Sequence, residues 1–238
     1  MKQLLKNLLL ISIFFTSEVY ANLVISPTQM YLSEKTRQRS TTVVLEAEDI
    51  TAAKKFEMLA YKWTQNQQGE DVLELDHNIL INPKVFVIQP ESKQFVRVGF
   101  IQPLSKAEME QEKAWRIVFK ELAPIAEQDS LQFLFNISVP LFVGKQDAVK
   151  ITAEHSYQNN HLMLMIKNNA QSHIQITSVT ILDGQKNTVA EAREMKYLLG
   201  QHQYSFDMGQ VKLGNIANYK LMLETDKNEK PIEITMKE

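Results

Sequence analysis

The chain has 238 residues, of which 44% are hydrophobic, with a formal net charge of -2 and no cysteine. This length is sufficient for two domains of ordinary size, each with its own core. The near-neutral charge argues against a nucleic-acid-binding surface, and the lack of cysteine excludes disulfides, thiol nucleophiles and cysteine-ligated metal sites. Stability must therefore come from packed apolar cores.

The first 21 residues have the layout of a secretory signal peptide. Lys2 and Lys6 precede an apolar run at 8–15, and Val19-Tyr20-Ala21 suits cleavage after Ala21. The run is too short for a membrane span, and no later stretch reaches the ~18 apolar residues that a span needs. We expect the mature protein to begin at Asn22, to be exported and soluble, and to have no stable membrane insertion.

From Asn22 to Ile101 the sequence predicts short strands separated by turns. The runs are β-branched, aromatic or alternately apolar. Pro27 interrupts the first of them, which indicates an edge, a bend or a bulge. Trp63 is predicted to be a core anchor. The predicted strands cover residues 23–25 with 30–32, 41–45, 56–63, 80–88 and 94–101.

One short helix is predicted after Pro103. Ser105 and Glu108 have the spacing of a capping box, and residues 106–113 are rich in Glu, Lys, Ala and Met. Its charges lie nearly all round, so its carboxylates, including Glu112, are expected to be solvated. A strand over residues 115–120 and a polar connection over 121–129 follow.

The stretch from Ser130 to Val143 is the most informative part of the chain. Residues two apart share one face of an extended strand, and here that face is apolar. Its members are Leu131, Phe133, Phe135, Ile137 and Val139. Such a strand is either an inner strand of the protein's own sheet or a strand whose apolar face is shared with a partner.

A second series of strands is predicted beyond a short polar hinge at 144–147. It covers residues 149–153, 162–166, 174–182, 195–199, 203–206, 219–223 and 232–236. Many short strands with turns at close intervals favour sandwiches over a parallel α/β sheet. The predicted fold class is therefore all-β, with a signal peptide at 1–21 and two tandem β-sandwich domains at 22–144 and 145–238.

Sequence motifs of catalysis are missing. There is no nucleophile elbow, phosphate-binding loop, dinucleotide fingerprint or paired-histidine zinc helix. The histidines are dispersed and are interpreted as surface or turn residues; they are His77, His155, His161, His173 and His202. We therefore expect no enzyme activity, no metal site and no cofactor.

The segment from Asn82 to Val98 resembles the signature of the periplasmic chaperones of the chaperone-usher pathway. It contains a proline, an apolar run, a second proline and then a Gln-x-Val-Arg strand. Trp115-Arg116-Ile117 and the proline-containing exit at 120–124 are similar to the next strand of those proteins. The alternating run from Leu131 and the tail at 139–143 are similar to their donor strand and its link to the second domain.

This resemblance covers residues 22 to about 143 and implies a fold, a function and a set of partners. The fold would be two immunoglobulin-like sandwiches set in an L, and the protein would be a periplasmic chaperone of pilus assembly. It would lend its strand to a pilus subunit that lacks its last strand, and deliver that subunit to an outer-membrane usher. The subunit-binding side chains would be Leu131, Phe133, Phe135 and Ile137. An uncovered strand of this kind also predicts self-association of the free protein.

The resemblance also implies a basic anchor for the C-terminal carboxylate of the subunit. Gln29 and Pro140 stand where the best-known branch has an arginine and a lysine. This departure makes the chain similar to the archaic branch of the family. Because arginine binds a carboxylate with two charge-assisted hydrogen bonds, Arg116 is the first candidate anchor, followed by Lys120 and Arg97. The alternative for each is a solvated strand residue, which weighs more for Lys120 and Arg97 than for Arg116, and contact with the usher is a further alternative for Arg97.

Two alternative functions fit a pair of exported sandwiches. The chain could be a pilus subunit or adhesin, although a subunit should lack a final strand and would ordinarily be a single domain. It could also be an extracellular carbohydrate-binding sandwich or enzyme, which composition does not exclude. Capture of a subunit, assembly into fibres and binding of a glycan distinguish the three.

Overall fold

A computed structural model of the chain describes residues 22–33, 39–102, 104–124 and 133–237. These residues form two β-sandwiches, one within residues 22–143 and the other within residues 151–237. The all-β fold class predicted from the sequence, with two tandem sandwiches, is confirmed. Among the described residues no helix has the length and apolar character that crossing a membrane requires.

The N-terminal sandwich consists of two packed sheets. Its elements are β1 (Asn22–Ser26), β2 (Met30–Leu32), β3 (Ser40–Glu48), β4 (Lys54–Gln65), β5 (Asp71–Leu75), β6 (Ile79–Asn82), β7 (Val85–Ile88), β8 (Ser92–Phe100), α1 (Lys106–Met109), β9 (Lys113–Leu122) and β10 (Asn136–Val143). Sheet A has the order β1-β3-β8-β6. Sheet B has the order β2-β10-β9-β4-β5, and β7 also pairs with β4.

The C-terminal sandwich has the same layered construction. Its elements are β11 (Ile151–Gln158), β12 (His161–Asn168), β13 (Ile174–Leu182), β14 (Thr188–Ala192), β15 (Lys196–Leu198), β16 (Gln203–Asp207), a 3₁₀ turn (Ile216–Asn218), β17 (Lys220–Thr225), β18 (Asn228–Ile234) and β19 (Met236–Lys237). Sheet C has the order β16-β12-β11-β19. Sheet D has the order β14-β13-β17-β18, and β15 also pairs with β13.

Two prolines mark places where the chain changes from sheet A to sheet B. Pro27 separates β1, which pairs with β3, from β2, which pairs with β10. Pro83 separates β6, which pairs with β8, from β7, which pairs with β4. The single strand predicted over residues 80–88 is therefore wrong. Because proline has no N–H to give to a ladder, it is well placed between two strands of different sheets.

The sequence patterns missed two strands and overextended the helix. Strands β5 and β14 are both edge strands of their sheets. The apolar pattern of an edge strand is weak. The capping box is confirmed, with Ser105 N donating to Glu108 Oε2 at 3.0 Å and Glu108 N to Ser105 Oγ at 3.3 Å. The helix ends at Met109, however, because the chain must turn into β9 at Lys113.

Each sandwich has its own core, and a third apolar cluster joins them. The N-terminal core contains fully buried Phe56, Val98 and Phe119, and the C-terminal core contains fully buried Leu164 and Phe206. The third cluster consists of Trp63, Ala114, Phe142 and Leu199, with the ring of Tyr197 packed against it. We call this set the interface cluster.

Strand β4 shows how the interface cluster is built. Up to Ala60 the even-numbered residues are buried in the N-terminal core, whereas from Trp63 the odd-numbered residues are buried. The register with β9 runs unbroken from Lys55 to Trp63, so no bulge causes this change. The opposite face of the strand has become buried against the C-terminal sandwich. Trp63 is thus an anchor between the sandwiches and does not belong to the N-terminal core cluster.

Candidate partner-binding edge of strand β10

Strand β10 is fully paired on one side and only half paired on the other. β9 accompanies it from Asn136 to Val143, whereas β2 pairs only with Leu141–Val143. Within the described part of the chain, no strand pairs with the second side of Asn136–Pro140. We call this stretch the open edge.

The backbone hydrogen bonds of the open edge can be assigned from its pairing with β9. Glu121 N donates to Phe135 O at 2.9 Å. Because hydrogen-bonded pairs alternate along an antiparallel ladder, Ile137 and Val139 also direct their backbone groups toward β9. Asn136 and Ser138 then direct their N–H and C=O groups outward, as an added strand requires. Pro140 contributes only its C=O.

The side chains predicted to bind a subunit differ in their surroundings. Leu131 lies outside the residues that the structure describes. Phe133 is 85% exposed, and Phe135 and Ile137 are half-buried against the N-terminal core. Regular strand structure begins at Asn136, after Phe133 and Phe135. Phe135 and Ile137 thus fit the interpretation as an inner strand, since they pack on the protein's own core. Phe133 fits the interpretation as a partner-binding strand, since its ring is exposed.

A buried carboxylate holds the start of β10 in place. Glu121 is 6% exposed, and its Oε2 accepts a hydrogen bond from Phe135 N at 2.9 Å. Its Oε1 pairs with Lys54 Nζ at 2.7 Å, and Lys54 lies 5.1 Å from the centre of the Phe135 ring. A buried charge is tolerated only when it is paired in this way. Glu121 thus fixes where the chain leaves β9 and enters the open edge.

A polar network between the two sandwiches lies next to the end of the open edge, where β2 begins. Gln29 Nε2 donates to Tyr197 Oη and to Gln175 Oε1, both at 2.9 Å, and Tyr31 Oη donates to Gln29 Oε1 at 2.6 Å. Burial raises the pKa of Tyr31, and the nearby acidic residues Asp226 and Glu112 raise it further. Gln29 therefore has a structural role at this junction.

Arg116 occupies the face of sheet B that leads from the open edge to the interface cluster. It pairs in register with Pro140. Its guanidinium carbon lies 3.6 Å from the centre of the Trp63 ring and 5.1 Å from that of Tyr197, and one nitrogen is 3.9 Å from Asp71. Burial lowers the pKa of Arg116, although arginine stays charged at neutral pH. A guanidinium stacked on aromatic rings keeps its edge free for an anion.

The other two candidate anchors are not brought to the same place. Lys120 is exposed on the same face as Arg116 but lies opposite Asn136, at the far end of the open edge. Four residues of strand separate the two, which is about 13 Å. Arg97 is on β8 in sheet A, where its Nε donates to Ser40 Oγ at 2.8 Å. Of these three candidates, Arg116 is the one that lies next to the network at the end of the edge.

The sequence interpretation of Glu112 and His173 as surface residues is wrong. The side chain of Glu112 is 2% exposed and that of His173 is fully buried, and Glu112 Oε1 is 2.8 Å from His173 Nδ1. The His173 ring stacks on Phe142, with ring centres 3.3 Å apart. No sequence pattern could find this pair, because its members are 61 residues apart and come from different sandwiches. Among the described residues, no three His, Asp or Glu side chains are grouped as a metal site requires.

Comparison with known proteins assigns the N-terminal sandwich. Residues 22–144 match the family described as pili and flagellar-assembly chaperone, PapD N-terminal domain. The chain belongs to this PapD-like family of pilus chaperones. A search of curated protein sequences found no match.

Solved structures of pilus chaperones show the same two-sandwich fold. A chain of the CsuC–CsuE chaperone–tip adhesion subunit complex, from the archaic chaperone-usher Csu pili of Acinetobacter baumannii, is 19% identical with a TM-score of 0.68, over 92% of this chain and 100% of that chain. The CupB2 chaperone of Pseudomonas aeruginosa is 11% identical with a TM-score of 0.60, over 90% and 100%. A chain of the Salmonella enterica SafA pilin–SafB chaperone complex is 13% identical with a TM-score of 0.58, over 90% and 95%.

Proposed function

We propose that this PapD-like protein is a periplasmic chaperone that binds pilus subunits by donor-strand complementation and delivers them to an outer-membrane usher. The observation that carries the proposal is the open edge of β10, preceded by the exposed Phe133. An incomplete sandwich could add its last strand there. The solved complexes of the similar chaperones CsuC and SafB with their own subunits support this function.

The open edge supplies the two interactions that strand addition needs. Outward N–H and C=O groups at Asn136 and Ser138 continue the ladder into the partner. Apolar side chains on the alternate positions fill the partner's groove, and each large one contributes ~1.5–3 kcal/mol when fully buried. Three or four anchors from the set Leu131, Phe133, Phe135 and Ile137 would contribute on the order of 5–10 kcal/mol before the costs of association. Phe135 and Ile137 contribute less than a free side chain would, since they are already half-buried.

The same proposal includes the cellular context of the chain. Residues 1–21 would be removed as a signal peptide, leaving a chaperone domain at 22–144 and a second sandwich at 145–238 in the periplasm. The protein would act by binding and not as an enzyme. Without a subunit, the open edge and Phe133 would favour self-association. The substitutions at Gln29 and Pro140 favour the archaic branch.

Arg116 is the proposed anchor for the C-terminal carboxylate of the subunit. A partner strand on the open edge stops where β2 begins at Met30, beside the network of Gln29 and Tyr197. Of the three candidate bases, Arg116 is the one near that point, since its guanidinium lies 5.1 Å from the centre of the Tyr197 ring. Lys120 and Arg97 are less suitable because they lie at the other end of the edge and on the other sheet.

Co-expression with a candidate subunit tests the proposal. We expect a soluble one-to-one complex with the wild-type chain, and at least a tenfold weaker complex with Phe133→Asp, since the exposed ring is needed only by the partner. Phe95→Asp is the matched control, because Phe95 is an exposed ring on β8 of sheet A. Affinity measured by titration calorimetry gives the result. Equal affinity of the two variants would contradict donor-strand binding.

The anchor is tested by Arg116→Lys and Arg116→Met in the same assay. Lysine keeps the charge but loses the planar fork, and methionine keeps much of the apolar stem. We expect both to weaken capture, methionine more than lysine, without unfolding the free protein. A subunit lacking its free terminal carboxylate should bind the wild type and the Met variant equally. If Arg116→Met captures subunits fully, the anchor is elsewhere.

A further inference from the structure

Gln65, the last residue of β4, is a buried amide with contacts in both sandwiches. It is 7% exposed. Its Nε2 donates to Tyr197 O at 2.8 Å and to Asp71 Oδ1 at 3.0 Å, and its Oε1 accepts from Leu199 N at 2.9 Å. Its own carbonyl oxygen lies 2.9 Å from His202 Nε2. Three of these four contacts belong to the C-terminal sandwich, so the position of the amide depends on how the two sandwiches meet.

The turn that follows Gln65 packs against the same sandwich. Gly69 lies in this turn with a φ of +78°, and a Cβ added there would collide with Gln203 O at the start of β16. Gln65 and Asp71 are cross-strand partners on either side of the turn. Because directly opposite residues of an antiparallel pair share a face, the hairpin brings Asp71 to the amide that the C-terminal sandwich holds.

Asp71 lies close to Arg116 without a hydrogen bond to it. One carboxylate oxygen accepts from Gln65, and the other is 3.9 Å from Arg116 Nη2, whereas an N–H···O hydrogen bond needs about 2.7–3.2 Å. Burial lowers the pKa of Arg116, and the charge of Asp71 acts in the opposite direction. The side chain of Asp71 is 39% exposed. Without its bond to Gln65, the carboxylate could move about 1 Å closer and bind the guanidinium directly.

We propose that Gln65 is a positioning residue that holds Asp71 away from Arg116 and so keeps the guanidinium available for the terminal carboxylate of a subunit. Stacking on Trp63 fixes the plane of the guanidinium, and the N–H groups along its edge are those that a carboxylate needs. At 3.9 Å, Asp71 balances part of the charge without occupying these groups. The use of Arg116 as an anchor rests on the proposed function, whereas the restraint on Asp71 does not.

The carboxylate-dependent part of binding tests this role. The probe is a synthetic peptide with the sequence of the C-terminal strand of a candidate subunit, prepared as the free acid and as the amide. By titration calorimetry we expect the wild type to bind the free acid about tenfold more tightly than the amide, since a hydrogen bond to a charged group is a strong one. Gln65→Met should lose most of this ratio, because Asp71 then closes on Arg116.

A matched control separates positioning from a general loss of structure. Gln67 is an exposed amide in the same turn, and Gln67→Met should keep the wild-type ratio. A variant that only loosened the fold would weaken the binding of both peptides equally and leave the ratio as it is. An unchanged ratio in Gln65→Met would therefore refute the proposal.

Removal of the charge of Asp71 should rescue the defect. Asparagine keeps an oxygen that accepts from Gln65 but cannot form an ion pair with Arg116. The double variant Gln65→Met with Asp71→Asn should recover the wild-type ratio, and Asp71→Asn alone should raise it, since a like charge beside the incoming carboxylate is lost. A double variant with a ratio as low as that of Gln65→Met would overturn the proposal. If Gln65→Met does not fold, a ratio below the wild-type value in Asp71→Asn would contradict the restraint.

A crystal structure of free Gln65→Met tests the restraint without any partner. We expect a carboxylate oxygen of Asp71 within about 3 Å of a guanidinium nitrogen of Arg116. An unchanged separation of the two groups would show that Gln65 does not hold Asp71 back. If the wild type binds the free acid and the amide equally, the proposed anchor is wrong, and the structure of the variant still decides whether Gln65 restrains Asp71.

Discussion

The two halves of strand β10 have opposite surroundings although they belong to one continuous ladder. From Val139 to Val143 every residue is buried, with β9 on one side and β2 along the last three residues. At Asn136 and Ser138 the second side is open, and Phe133 just before them is exposed. Burial along this strand therefore depends on which elements lie beside it. The first half has a free edge because β2 pairs only with the last three residues of the strand.

The largest expected effect comes from breaking the buried half. Phe142→Ala should cost about 3–5 kcal/mol of stability, because the ring is 1% exposed and packs against Tyr31, Trp63 and His173. Urea unfolding of the free protein measures this loss. Phe133→Ala, just before the open half, is the matched control and should change stability by less than about 0.5 kcal/mol. Similar losses in the two variants would show that the halves do not differ as described.

A proline in the open half sharpens the comparison at the level of the backbone. Ser138→Pro removes an outward N–H that has no ladder partner in the free protein, whereas Ser138→Ala keeps it. We expect the proline variant to bind a subunit with an affinity lower by about 1 kcal/mol or more, with little change in its own stability. Titration calorimetry and urea unfolding provide the two measurements. A large loss of folding stability with unchanged binding would indicate that Ser138 bonds within the chaperone.

The smallest effect concerns the network beyond the buried half. Burial raises the pKa of Asp226, but the contact with His173 Nε2 at 3.6 Å, a hydrogen bond from Gln175 N and the charge of Lys227 outweigh it, so the pKa is lowered. A carboxyl with a lowered pKa contributes stability above its unfolded value, near 4, and loses it as the pH falls below that value. Asp226→Asn should therefore flatten the loss of stability below pH 4. An acid profile identical to that of the wild type would contradict this assignment.

Much of the fold could be predicted from the sequence because local patterns specify it. Alternation identified β4 and β10, turn residues separated the strands, and Ser105 with Glu108 marked the helix start. The sheet changes at Pro27 and Pro83 were harder, because a proline shows where a strand is interrupted but not which sheet continues. β5 and β14 were missed because strands at the end of a sheet carry a weak apolar signal.

The sequence predicted the candidate site only in part. The sequence pointed to Phe133, Phe135 and Ile137, since period two puts them on one face, and to Arg116 among three candidate bases. It gave no sign of Glu112 with His173 or of Gln65 with His202. These pairs join residues that are 61 and 137 positions apart, and each contact depends on how the two sandwiches meet.

The all-β class, the two-sandwich plan and the apolar face of the strand that enters β10 can be read from the sequence, because backbone periodicity and side-chain polarity specify each of them. The coverage of the end of β10 by β2, the open edge at Asn136–Pro140 and the position of Arg116 on Trp63 are visible only in the folded protein. A strand's pattern specifies which of its faces is apolar, whereas the strands beside it determine which of its edges remains free.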